Sequence, residues 1–223
     1  MNSEKEAIRR RYLHVDTSNV ADVLDTMGLP DQGLSSEFRP FPADAGRLAG
    51  WVYTITGKMM PYEGEGDPAK MKACQGLSKG EISVWSGDGK GVCYFGELIA
   101  LGMKERGCVG ALVDGGIRDV RWLAQHNFPV YARYRTPVQS IGRWKVVASQ
   151  QPVYLAGATL ERVIVRPGDF ILADEDGAIV VPGNVAAEVL REAERLTQKE
   201  VLIRDEIEKG LTLAQALEKF GHV

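Results

Sequence analysis

Between Phe95 and Val113 a helix runs into a strand with nothing between them, and that succession sets the architecture. FGELIALGMKER, residues 95–106, carries apolar side chains at helical spacing and stops at Gly107; CVGALV, residues 108–113, then reads as a short, fully buried strand. Ile117–Gln125 is a further helix and FPVYARY, residues 128–134, a further strand, so the middle of the chain alternates α and β. Upstream lie a strand over Leu48–Thr56, a short helix over Pro68–Leu77 and a strand over Glu81–Ser86. Residues 3–14 read as a helix, and Asp16–Ser18 offer caps for a second one over Asn19–Met27, stopped by Gly28 and Pro30. After Pro137 come short strands at Gln151–Ala156, Leu160–Val165, Asp169–Ala173 and Ala178–Val181. From Val185 a long helical pattern with charged faces follows, then a shorter helix near Leu213–Phe220. The expectation is one α/β domain over residues 1–223, with a helical entrance at about 1–30, a core at about 45–183 and C-terminal helices at about 185–220.

A chain of 223 residues is long enough to bury a sizeable core, and 44% hydrophobic with 26% charged residues excludes a disordered, collagen-like or membrane-embedded protein. Lys and Arg total 27 against 30 Asp and Glu; the net charge of −3 gives no general attraction to nucleic acid or anionic lipid. The three cysteines, Cys74, Cys93 and Cys108, lack the spacing of a zinc site and read as buried thiols. The charged start and the absence of a long apolar run point to the cytoplasm, where thiols stay reduced.

Two short segments can carry chemistry: Gly96-Glu97-Leu98-Ile99 at a helix start, and Asp114-Gly115-Gly116-Ile117-Arg118-Asp119 at the turn after the buried strand. Twenty residues, 98–117, separate Glu97 from Arg118. If the helix runs back along the strand, both segments meet at one rim. The free amides around Leu98 and Ile99 could then hold a carboxylate, Arg118 adds a charged fork, and Asp119 adds a hard oxygen ligand. An isolated Arg-Asp pair is more often a surface ion pair, Asp-Gly-Gly a turn, and Glu97 a dipole-stabilising charge. Convergence on a glycine-rich floor after a buried strand favours the functional reading.

The segments FGELIA, RGCVGALVDGGIRD and VRPGDFILADEDGAIVVP resemble the RraA-like family of class II pyruvate aldolases and ribonuclease activity regulators. TSNVADVLDTMG and LAGWVYTITG extend the resemblance over about Asp16 to Glu200. It implies an α/β protein with a swivelling β/β/α domain, assembled as a homotrimer or homohexamer with sites at subunit boundaries. In the aldolases an acid, twenty residues and Arg-Asp mark the site, which maps onto Glu97, Arg118 and Asp119. The best-known aldolase form has Asp at the first position; here Glu97 is one methylene longer. Regulator-type members tend to lack an acid there.

The reaction so implied is cleavage of a 4-hydroxy-2-oxo acid, such as 4-hydroxy-4-methyl-2-oxoglutarate, to pyruvate and a second oxo acid, with oxaloacetate decarboxylation beside it. Asp119 would hold Mg²⁺ or Mn²⁺, Arg118 would quench the developing enolate, and Glu97 would orient or deprotonate a water. The backbone of Gly96, Leu98 and Ile99 would bind the substrate carboxylate. Glu200 resembles a family glutamate that reaches the neighbouring subunit's site, and equally fits a solvated helix face. Two alternatives stand beside this: a non-catalytic regulator binding a ribonuclease or helicase, and a Schiff-base aldolase using Lys104.

Overall fold

The computed structural model describes residues 3–87 and 89–221. Its elements are α1 (Ser3–Tyr12), α2 (Thr17–Thr26), β1 (Arg39–Phe41), β2 (Leu48–Met59), α3 (Pro68–Gln75), β3 (Glu81–Ser86), β4 (Cys93–Phe95), α4 (Glu97–Lys104) and β5 (Ala111–Ile117). They continue with α5 (Val120–Gln125), β6 (Val130–Arg135), β7 (Trp144–Ser149), β8 (Val153–Ala156), β9 (Arg162–Val165), β10 (Phe170–Asp174), β11 (Gly177–Val181), α6 (Ala186–Glu208) and α7 (Leu213–Phe220).

β2, rich in β-branched and aromatic residues, is the axis of the sheet. It pairs in parallel with β3, and β3, β5 and β6 follow in parallel, with β1 antiparallel at the far edge. On its other side β2 takes the β10–β11 hairpin and, further along, β7, all antiparallel; β4 joins β5 at Gly116 and Ile117. Successive side chains alternate between faces. Val52, Ile82, Val84, Leu112 and Tyr131 face one core, which the β8–β9 ribbon covers through Val153, Leu155, Val163 and Val165. Tyr53, Ile55, Trp85, Val113 and Ala132 face the other, which α3, α4 and α5 cover. Ribbon, sheet and helices form the β/β/α layering. A third core, built on Trp51, Phe170 and Leu172, is closed by α1, α2 and α6.

Local chemistry accounts for most element ends. Asp67 caps α3 by accepting from the Lys70 amide at 3.1 Å, with Pro68 in the first turn. Thr17 starts α2 with its amide and hydroxyl on the buried Asp174 carboxylate, at 2.8 and 2.7 Å. Asp174 and Gly177 also close the β10–β11 hairpin, so DEDG is a turn.

The structure corrects the expected course of the middle segment. Phe95 ends a strand instead of starting a helix, and Cys108–Gly110 form the return from α4, so β5 begins at Ala111. β5 then continues through Asp114-Gly115-Gly116, which is strand and not turn. A Cβ on Gly115 would overlap the Tyr94 hydroxyl, and one on Gly116 the Val92 carbonyl. These glycines admit neighbouring protein atoms, not a ligand, and Asp114 is buried in an ion pair with Arg133 at 3.2 Å. The three cysteines are free, buried thiols. No helix among the described residues is long and apolar enough to cross a membrane.

Candidate active site

α4 runs back along β5, so the turn entering α4 and the turn leaving β5 do meet at one rim. The Arg118 amide donates to the Phe95 carbonyl at 3.1 Å, which ties the two turns together. Asp119 follows in the left-handed region, φ 59° and ψ 34°, a conformation that costs most non-glycine residues roughly 1 kcal/mol. Its side chain does not cap α5. It reaches across to α4, where Oδ2 accepts from the Glu97 amide at 3.0 Å and lies 3.5 Å from Arg118 Nε. A carboxylate at a helix N-terminus beside a guanidinium is favoured by both the amide dipoles and the opposite charge. Gly96 has no room for a side chain: a Cβ would sit 2.6 Å from that same oxygen and 3.1 Å from Arg118 Cγ.

The rim opens onto a cleft of about 370 Å³, within the range of small-molecule sites. Gly96, Leu98, Ile99, Arg118 and Asp119 all line it, so five of the expected residues share one space. The amides of Leu98 and Ile99 fall in the first turn of α4 and have no partner within the helix. Glu97 is half-exposed and contributes its amide; its side chain is not part of the lining. A second opening, about 650 Å³, lies against the same turn and adds Arg135 and Thr136.

Glu200 lies elsewhere in its own chain. On α6 it accepts from Asn19 Nδ2 at 3.1 Å, beside Thr197, in the contact between α2 and α6. Lys104 is also outside the cleft, donating to the His126 carbonyl at 2.7 Å, so the Schiff-base alternative loses its nucleophile.

The cleft has a second charged wall that the sequence reading passed over. Lys70, on α3, is 8% exposed, with Nζ 5.6 Å from the Trp85 ring centroid and 5.8 Å from that of Trp144. Burial pushes its ammonium down to about 8. Asp67, the carboxylate nearest in sequence, is committed to two backbone amides, Lys70 N at 3.1 Å and Val146 N at 2.8 Å. The Tyr62 hydroxyl, in the same lining, is buried with no hydrogen-bond partner among the described residues. The signal for Lys70 was present: it occupies the position that Ala73, Cys74 and Leu77 continue as the buried face of this segment.

Among the described residues no group of three or more His, Cys, Asp or Glu is arranged to hold a metal. Asp119 supplies one carboxylate, its Oδ2 shared with the Glu97 amide. A lone carboxylate suits a hard divalent ion that keeps its waters and takes further oxygens from substrate, and does not suit a closed structural site.

Residues 17–180 match the family model described as RraA-like, Aldolase/RraA. A protein of Halalkalibacterium halodurans named "Putative 4-hydroxy-4-methyl-2-oxoglutarate aldolase" is 36% identical over 135 residues, 57% of this chain and 58% of that one. A crystal structure of an uncharacterized protein from Pseudomonas syringae pv. tomato superposes with a TM-score of 0.83 at 26% identity, covering 96% of this chain and 94% of that one. Streptomyces coelicolor RraAS2, described as an unusual member of the RNase ES inhibitor RraA protein family, gives a TM-score of 0.75 at 25% identity over 92% and 97% of the two chains. For three curated relatives, the matched stretch spans 33%, 61% and 58% of their own length.

Proposed function

The chain belongs to the RraA-like family, and on that footing we propose that it is a divalent-metal-dependent lyase that cleaves a 4-hydroxy-2-oxo acid, such as 4-hydroxy-4-methyl-2-oxoglutarate, to pyruvate and a second oxo acid. One observation carries the reading: a carboxylate, a guanidinium and the open end of a helix converge on one cleft, at Asp119, Arg118 and Leu98–Ile99. That combination matches the charges of an oxo acid.

Asp119 would hold Mg²⁺ or Mn²⁺, and the ion when bound would polarise the keto group as a Lewis acid. The remaining work falls to the chain. The amides of Leu98 and Ile99 take the substrate carboxylate, and the absent side chain at Gly96 lets Asp119 and Arg118 close up against the start of α4 beside them. As the C3–C4 bond breaks, its electron pair passes into the 2-oxo group, and the Arg118 guanidinium stabilises the enolate oxygen. The 4-hydroxyl loses its proton to a water oriented by Glu97 at the rim, and C4 becomes the carbonyl of the second product. Protonation of the enolate at C3 yields pyruvate. Oxaloacetate would decarboxylate through the same enolate. Glu200, remote from the cleft of its own chain, would act only on a neighbour's cleft in a homotrimer or homohexamer.

The likeness to RraAS2 supports a second reading, a non-catalytic regulator that binds a ribonuclease or helicase. A coupled pyruvate-release assay separates the two. The lyase reading expects turnover that EDTA abolishes and that Arg118→Ala lowers by roughly a hundred- to a thousandfold. No turnover on any hydroxylated oxo acid, with ribonuclease binding retained in Arg118→Ala, would establish the regulator instead.

A further inference from the structure

An ammonium group buried without a directly bonded counter-ion costs free energy, and a fold keeps one only where something else is gained. Lys70 is such a group. Neither a hydrogen bond nor an ion pair is formed by its Nζ among the described residues, and Asp67 is occupied by backbone amides. Around it lie the neutral thiols of Cys74 and Cys93, both raised by burial, the Asp67 carboxylate, which acts on it through space without an ion pair, and the like charge of Arg118. The faces of Trp85 and Trp144 offer partial compensation only. Packing does not require a charge here, because the buried face to which Lys70 belongs is otherwise apolar. The missing partner is therefore an anion that enters through the cleft. Tyr62 adds a buried hydroxyl, without a hydrogen-bond partner among the described residues, to the same lining.

We propose that Lys70, with the Tyr62 hydroxyl, forms a second anion seat in this cleft, which holds a carboxylate other than the one bound at the start of α4 and so makes Lys70 a specificity-determining residue for dicarboxylic over monocarboxylic oxo acids. This rests on the oxo-acid lyase reading for its substrate. The seat itself rests on the unpaired ammonium.

The test uses the full chain, wild type and Lys70→Met, with Lys70→Arg and Tyr62→Phe as companions. Met keeps the length of the stem between the two indoles and strands no partner, so the variant folds. Glutarate and butyrate are titrated against the tryptophan fluorescence, since Trp85 and Trp144 flank the seat. Loss of a charged donor is expected to weaken glutarate roughly tenfold or more and to erase its preference over butyrate. Lys70→Arg should restore part of that preference, and Tyr62→Phe should weaken glutarate by less than Lys70→Met does. In turnover, the ratio of kcat/KM for 4-hydroxy-4-methyl-2-oxoglutarate to that for 4-hydroxy-2-oxopentanoate should fall by a similar factor, through KM. Wild-type protein that ignores glutarate, or Lys70→Met that binds it unchanged, overturns the seat even if the protein is a lyase. Lys70-dependent glutarate binding without turnover supports the seat and removes the lyase.

Discussion

Holding Lys70 as an ammonium inside the fold has a stability cost that can be calculated and measured. Its pKa falls from the ordinary 10.5 to about 8. At roughly 1.36 kcal/mol for each tenfold change in proton affinity, that is about 3 kcal/mol. The sign follows from linkage. Below pH 8 the lysine is charged in both folded and unfolded chains, and the full cost is present. Between pH 8 and 10.5 the folded chain releases the proton while the unfolded chain keeps it, so stability contributed by this site rises with pH. Lys70→Met removes the cost at all pH values. Urea unfolding of the two proteins should place the variant about 3 kcal/mol above wild type at pH 7, with the gap narrowing by about 2 kcal/mol at pH 9.5. Groups that do not feel the Lys70 charge, such as Tyr12 and Tyr131, drop out of the difference. A gap that stays constant with pH, or a variant less stable than wild type at pH 7, would refute the reasoning.

Gly96→Ala is expected to abolish pyruvate release while costing about 1–3 kcal/mol of stability, because the new methyl displaces Asp119 and Arg118 from a 2.6 Å and a 3.1 Å approach; unaltered kinetics would show that this approach does not matter. Asp119→Asn keeps a side chain that tolerates φ 59° and an oxygen for the Glu97 amide, so urea unfolding should move by less than about 1 kcal/mol while EDTA-sensitive activity is lost. Burial pushes the Cys74 thiol up to about 12 and Cys108 up to about 11, so neither should react with a thiol reagent at pH 8 until urea is added. For these raised thiols the unfolded chain deprotonates first, and their contribution to stability should decline as pH climbs past the ordinary value of 9.0.

What the sequence disclosed depended on how local the governing physics was. β3 lies at the residues expected, Glu81–Ser86, because Ile82 and Val84 face one core and Trp85 the other, a pattern written in consecutive residues. The meeting of Glu97 with Asp119 was legible for the same reason: an eight-residue helix, a short return and a seven-residue strand bring the chain back to its starting rim. The nature of Asp114-Gly115-Gly116 was not. Local preference reads two glycines as a turn, whereas here they are extended because Tyr94 and Val92, from β4 and the residue before it, occupy the space of their missing side chains. β1, β4 and β7 were missed because two of them are three residues long and all depend on partners distant in sequence. Lys70 was not singled out because its helix is only eight residues long, and the buried face it shares with Ala73 and Cys74 spans a single turn.

The central claim is that Asp119 anchors a divalent ion beside an oxo acid in this cleft. A crystal grown with Mn²⁺ and pyruvate tests it through the anomalous signal of the metal. The account predicts a manganese peak in coordination range of the Asp119 carboxylate, about 2.0–2.2 Å, with pyruvate between it and the amides of Leu98 and Ile99. Manganese absent from Asp119, in a crystal that holds pyruvate in the cleft, would contradict it.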